Sequence, residues 1–144
     1  MAHTYSINLV HCIFSTKNRL PLIAEPEKAW HALCMVARQS SINIAVGGTV
    51  NHVHILLTIP KAQTISDIMR ELKANSSRWL RENWRLFKWQ DGYASISVSP
   101  SAVPAVSRYI ERQAEHHKRR SFEDEYVAIL SRAGVKYEPE YVFD

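Results

Sequence analysis

Two histidines one residue apart, His52 and His54, interrupt an apolar run in GGTVNHVHILL (Gly47–Leu57). Side chains alternate between the faces of an extended strand, so both imidazoles and Leu56 share one side while Val53, Ile55 and Leu57 take the other. Neutral imidazoles placed this way can converge on one metal ion. A half-buried strand with histidines on its polar side is spelled the same way, so the pair alone does not decide between the two readings. A second group lies in VSRYIERQAEHHKRR (Val106–Arg120), where Tyr109, Gln113 and His116 recur at helical spacing and form one stripe. A tyrosine and a glutamine one turn apart serve packing and solvation in most helices, and they carry chemistry only in company.

The elements that must position these residues follow from periodicity. Tyr5–Thr16 is rich in β-branched and aromatic residues and is expected as a strand. Glu25–Gln39 repeats apolar residues at helical spacing through Trp30, Leu33, Cys34 and Ala37. Ile42–Val50 and His52–Pro60 are two further strands joined by a short turn. Thr64 with Asp67 forms an N-terminal cap for a helix over Ile65–Glu82, whose apolar stripe is Ile65, Ile68, Met69, Leu72, Trp79 and Leu80. Tyr93–Ser99 is a fourth strand. Ser101 is expected to cap a helix running to His117, with Pro104 tolerated in its first turn and Val103, Ile110 and Ala114 as its docking stripe. A last amphipathic helix covers Phe122–Arg132, ended by Gly134.

The order βαββαβ followed by helices is that of an α+β, ferredoxin-like sandwich with an antiparallel sheet and an added C-terminal helical segment. In such a sheet the first and third strands are central neighbours. The histidine strand then lies mid-sheet beside Tyr5–Thr16, with two helices on one face and the histidines on an open platform opposite.

The totals fit this architecture. With 144 residues the chain is expected to form one domain, residues 1–144, with a substantial core. Lys and Arg number 18 against 14 acidic residues, a mild net charge of +4 whose placement matters more than its size. Cys12 and Cys34 sit in apolar periodic segments and read as reduced core residues of a cytoplasmic protein. No apolar run approaches the roughly 18 residues of a membrane span, and the N-terminus lacks a signal-peptide pattern.

Taken together, the motifs resemble the single-tyrosine HUH transposases, the IS200-like family of insertion-sequence enzymes. His52–Val53–His54 matches the His–hydrophobic–His signature, and YIERQ matches the family's Tyr followed four residues later by Gln. STKNR, LKANSSRWL, WQDGYASISVS and RQAEHH look like family segments in family order. Asn51 departs from the pattern, since relatives often carry an acidic residue before the histidine pair.

The resemblance implies a DNA transposase that cuts and rejoins single-stranded DNA at hairpin-flanked element ends. Tyr109 would be the nucleophile, forming a covalent 5′-phosphotyrosine link. His52, His54 and the Gln113 oxygen would hold Mg²⁺ or Mn²⁺ against the scissile phosphate, although two imidazoles by themselves favour softer metals. His11 and His116 are expected around these ligands or facing DNA, His117 is expected to be packed, and His3 and His31 take no role. The resemblance also implies a homodimer whose sites combine histidines of one subunit with the tyrosine helix of the other.

Cations mark where DNA would lie. Arg70, Lys73, Ser77 and Arg81 form a stripe opposite the apolar face of their helix, with Lys17, Arg19 and Lys118–Arg120 basic elsewhere. Any amphipathic helix has a solvated face, but this stripe contains three cations and no acid, as phosphate contact requires. Trp84, Phe87 and Trp89 follow and could stack bases, with some of them needed for the core. Three other readings remain open. One is a domesticated relative processing chromosomal palindromic repeats. Another is a metal-dependent phosphodiesterase that attacks with water. The third is a non-catalytic single-stranded nucleic-acid-binding module, against which the joint presence of His52, His54, Tyr109 and Gln113 argues.

Overall fold

The computed structural model describes residues 2–38 and 42–144. Among the described residues nine principal elements follow one another: β1 (Leu9–Ser15), α1 (Pro26–Ala37), β2 (Ile42–Gly48), β3 (His52–Thr58), α2 (Ile65–Asn83), β4 (Ala94–Val98), α3 (Val103–Glu111), α4 (Gln113–His116) and α5 (Phe122–Arg132). The four strands form one sheet in the order β2-β3-β1-β4, with every neighbouring pair antiparallel. This is the expected α+β arrangement, with β1 and β3 at the centre. Gln39, the expected end of the first helix, lies outside the described residues.

The alternation of β3 builds two faces. Val53, Ile55 and Leu57 join Cys12 and Phe14 of β1 in the main core, which α1 and α2 close with Leu33, Ile68, Met69, Leu72 and Leu80. His52, His54 and Leu56 turn to the opposite face, next to Ile13 and His11 of β1 in the pairing register. The helix ends that matter are fixed locally. Thr64 Oγ1 accepts from the Asp67 amide at 3.1 Å and starts α2. Ser121 Oγ accepts from the Asp124 amide at 3.2 Å and starts α5, whose first turn carries Glu123, Asp124 and Glu125. Carboxylates there complement the partial positive charge of the helix N-terminus. Gly134, at φ 74°, ends α5: its amide bonds to Ser131 O, and the Val135 amide bonds to Leu130 O. That pair of bonds is the usual C-terminal closure that needs a left-handed residue.

Three expectations are corrected. The strand begins at Leu9 rather than Tyr5, because Tyr5 and Ile7 are exposed and pair with nothing in the sheet. The helix expected from Ser101 to His117 is broken. A 3₁₀ turn at Pro100–Ala102 precedes α3, Ala102 stands at its cap position, and Arg112 (φ −100°, ψ 21°) separates α3 from α4. The break changes the helical phase, so Ala114 is exposed rather than docked.

The second face of the sheet is also not an open platform. Ile110 of α3 packs on Ala45 and Leu56, while Phe122, Tyr126 and Leu130 of α5 pack on Ile13 and Ala94. Gly47 permits this approach, since a Cβ at that position would lie 2.1 Å from the Ile110 carbonyl oxygen. His52 and His54 are consequently fully buried.

Candidate functional site

The histidines of β3 meet α3, α4 and α5 in one buried cluster. His52, His54, His117 and Glu125 each offer a ligand atom, all within 4.8 Å of one another. Glu125 Oε1 lies 2.9 Å from His54 Nε2, 3.0 Å from His117 Nε2 and 3.8 Å from His52 Nε2. Gln113 Oε1 lies 3.0 Å from His52 Nε2 and 2.9 Å from His117 Nε2. The hydroxyl of Tyr109 donates to Glu125 Oε2. Gln113 Nε2 also donates to Glu125 Oε2, at 3.1 Å. Tyr109 and Gln113 are therefore brought to the paired histidines, and the stripe seen in the sequence converges on them despite the helix break.

Proton placement tests whether a cation suits this cluster. Its own donations to Glu125 and to the Tyr109 carbonyl fix the Gln113 amide, so its oxygen must face the imidazoles. His117 Nδ1 lies 2.7 Å from the Arg120 carbonyl, which can only accept, so Nδ1 carries the proton. In the neutral ring Nε2 then presents a lone pair to two oxygens at 2.9 and 3.0 Å. His52 repeats the conflict. Its Nδ1 donates to Asn51 Oδ1 at 2.9 Å, leaving the Nε2 lone pair toward Gln113 Oε1. A metal ion among these atoms turns facing lone pairs into ligands. Two donors about 2.1 Å from one ion and at right angles are about 3 Å apart, as these pairs are. The residues present fit a divalent cation.

Charge states agree. Burial, aided by the His54 charge, pushes His52 down to about 3, and burial does the same to His11. Burial lowers His54 as well, against the pull of Glu125. These rings are neutral near pH 7, the form that binds metal. Burial alone would raise the Glu125 carboxyl, but contacts with His117, His54 and Tyr109 outweigh it and hold the group far below the usual carboxylate range. Burial, then the facing Glu125 charge, pushes the Tyr109 phenol above its ordinary value.

The surrounding residues orient the donors. His11 Nε2 lies 2.8 Å from His54 Nδ1, behind the face that turns to Glu125. Asn51 serves His52 in the same way, and Thr49 Oγ1 and Arg19 O fix the Asn51 amide. A neutral amide thus supplies the acceptor that an acidic residue would otherwise supply. His116 Nε2 lies 3.3 Å from Glu125 Oε2 but is buried without a hydrogen bond.

Sequence reasoning missed Glu125 and gave His117 only a packing role. His117 is packed, its side chain 9% exposed, and its ring also joins the cluster, one turn after Gln113. Glu125 did leave a signal. It stands in the stripe of Phe122, Tyr126 and Leu130, and a carboxylate on the buried face of a helix requires partners.

Several of the residues expected at DNA already have partners within the protein. Arg70, Lys73, Ser77 and Arg81 line a cleft of about 410 Å³ together with Lys88 and Gln90–Asp91. The Lys73 ammonium is occupied by the carbonyls of Gln90, Asp91 and Gly92 at 2.8, 3.2 and 2.5 Å, and burial lowers its pKa to about 8. Arg70 pairs with Asp67 at 3.0 Å, and Ser77 is buried. Lys17 pairs with Asp91 at 3.4 Å and Arg19 with Glu123 at 2.9 Å. Phe87 and Trp89 belong to the core, which removes them as base-stacking surfaces; Trp84 packs against the core, half-buried.

Comparison with known proteins gives the family and the fold. The family model described as "Transposase IS200 like" matches residues 4–113. A transposase candidate from Deinococcus radiodurans R1 superposes with a TM-score of 0.61 at 23% identity, covering 78% of this chain and 96% of that one. A REP-associated tyrosine transposase bound to a REP hairpin superposes with a TM-score of 0.61 at 17% identity, covering 81% and 73%. Among curated proteins, none is detectably similar. The family match ends at Gln113, so His117 and Glu125 lie beyond it. Among the described residues, no helix is long and apolar enough to cross a membrane.

Proposed function

The chain belongs to the IS200-like transposase family, and from this premise we propose that it cuts and rejoins single-stranded DNA at hairpin-flanked ends, with Tyr109 as nucleophile and His52, His54 and Gln113 as metal ligands joined by His117 and Glu125. The observation that carries the reading is the meeting of the Tyr109 hydroxyl with Glu125 inside a cluster of imidazoles suited to a cation. When bound, the cation supplies positive charge to the non-bridging oxygens of the scissile phosphate.

The residues of the chain do the rest. The Tyr109 phenol is protonated at rest, because burial and the facing carboxylate raise its pKa. Glu125 Oε2, which already accepts from that hydroxyl, takes the proton as the phenolic oxygen bonds to phosphorus. The bond from phosphorus to the 3′ oxygen breaks, and the departing oxygen takes a proton from solvent water and leaves as a hydroxyl. The phosphotyrosine link conserves the bond, so attack by a 3′-hydroxyl reverses the sequence without an energy source. Gln113 positions both partners, since its amide touches Glu125 and its oxygen faces the histidines.

Three imidazoles, one carboxylate and one amide oxygen are a softer donor set than Mg²⁺ prefers, so Mn²⁺ is the better of the two ions that the family implies. The REP hairpin on one structural relative supports hairpin DNA as the partner class. It equally favours processing of chromosomal palindromic repeats, which uses the same chemistry. The test is incubation of the protein with single-stranded DNA carrying an imperfect hairpin and Mn²⁺. The expected product is a protein–DNA adduct that survives denaturant and disappears with chelator. Cleavage with no adduct would mean that water, not tyrosine, attacks.

The exchanged dimer implied by the family has a competitor here. Tyr109 lies within ring contact of His54 of its own chain, at 5.8 Å between centroids, and α3 is seated on Gly47. We take the working site to close within one chain. A mixture of His52→Ala and Tyr109→Phe chains should then form no adduct, since each chain carries a broken site. Recovery of activity in that mixture, with hetero-association shown by sedimentation, would establish exchange of tyrosine helices.

A further inference from the structure

Tyr109 also forms part of the wall of a second space, distinct from the metal cluster. An open cleft of about 840 Å³ is lined by Arg108, Tyr109, Arg112, His116, Arg119 and Arg120, with Lys118 and Glu115 at its margin. We propose that this cleft is the track along which the phosphate backbone of unpaired DNA reaches Tyr109, in place of the α2 stripe. The proposal rests on the reading of Tyr109 as nucleophile.

Charge is the first argument. The lining holds five cations and one carboxylate, an excess as large as the net charge of +4 on the whole chain. The carboxylate, Glu115, is already paired with Lys118 at 3.1 Å. Among the described residues, no ion pair engages Arg108, Arg112 or Arg119, which are exposed. Unpaired guanidiniums bind phosphate through paired hydrogen bonds and shed little hydration in doing so.

Placement is the second. Arg108 precedes Tyr109 directly, and Arg112 follows one turn later at the break between α3 and α4. Arg119 and Arg120 return from the loop before α5 and share the lining of the cleft with Tyr109. Cations therefore surround the nucleophile on the side away from the buried histidines. The α2 cleft offers less, because Lys73 is held by three carbonyls and Arg70 by Asp67. A strand needs its phosphates beside the attacking oxygen, and the α2 cleft does not include that oxygen's residue in its wall.

The experiment measures binding of a fluorescein-labelled oligothymidine, which forms no hairpin, over a range of salt concentrations. The full chain is compared with an Arg112→Gln/Arg119→Gln variant and with an Arg70→Gln/Arg81→Gln variant. Each lost phosphate contact should lower the slope of log K against log salt by about 0.7 on a single strand. The expected result is a slope about 1.4 smaller and at least tenfold weaker binding for the first variant, with the second close to wild type. Wild-type affinity and slope in Arg112→Gln/Arg119→Gln, or no binding of oligothymidine by the wild type at low salt, would overturn the proposal. Tyr109→Phe separates the two readings, because it should bind oligothymidine with the wild-type slope. If no adduct ever forms but the arginine variant loses slope, the nucleophile assignment fails and the cleft stands only as a phosphate-binding surface. If adducts form normally and the slope is unchanged, the cleft alone fails.

Discussion

Tyr109→Phe should reduce covalent adduct formation to background while hairpin DNA still binds within about twofold of wild type. The phenyl ring keeps its contacts with His54 and His116, and only the oxygen that faces Glu125 is lost. The effect on the chemical step is large because the nucleophile itself is removed, whereas loss of a supporting donor costs about 10²–10³-fold. Loss of the hydroxyl also leaves Glu125 Oε2 with the Gln113 amide as its donor, so the fold should persist. Denaturing electrophoresis of radiolabelled hairpin substrate reads the adduct directly. An undiminished adduct would transfer the role to another tyrosine; Tyr126, buried on α5 and pushed up to about 12 by burial, would be the first to examine.

Removing a ligand should have the second largest effect, and it has a readout independent of cleavage. A metal present at about 100 times its dissociation constant stabilises the folded chain by about 2.7 kcal/mol. For a domain of this size that corresponds to a rise in Tm of roughly 5–10 °C. His52→Ala and His54→Ala should each abolish both the Mn²⁺-induced rise and cleavage. His117→Ala and Glu125→Gln should lose most of the rise as well, because both donors lie in the buried cluster. Gln113→Ala should keep a larger part of it, since water replaces a neutral oxygen donor. Calorimetric titration with Mn²⁺ gives stoichiometry and affinity for each variant. A full Mn²⁺ response in His117→Ala and Glu125→Gln would confine the ligand set to His52, His54 and Gln113. A full response in His52→Ala would show that the paired histidines are structural.

Much of this site was legible before folding, for local reasons. Strand alternation alone places His52 and His54 on one side and Val53, Ile55 and Leu57 in the core, and the sheet realises both. Thr64 and Asp67 set the start of α2, and the order of elements set a sheet with β1 and β3 at its centre. Periodicity also put Tyr109 and Gln113 on one stripe.

What periodicity could not supply is the set of partners that close the face carrying the histidines. Glu125 is 71 residues from His54, and the two meet only because α5 docks Phe122 and Tyr126 against the sheet. The break at Arg112 is likewise marked by no proline or glycine in the sequence. The tautomers that make a cation fit depend on carbonyls and amides from Arg120, Asn51 and Gln113, drawn from three segments. Even the cations of α2 changed meaning, because Lys73 spends its charge on the carbonyls of Gln90–Gly92. Residue type and spacing determine what each side chain can donate. Long-range packing decides which of those donations face one another and which are already used.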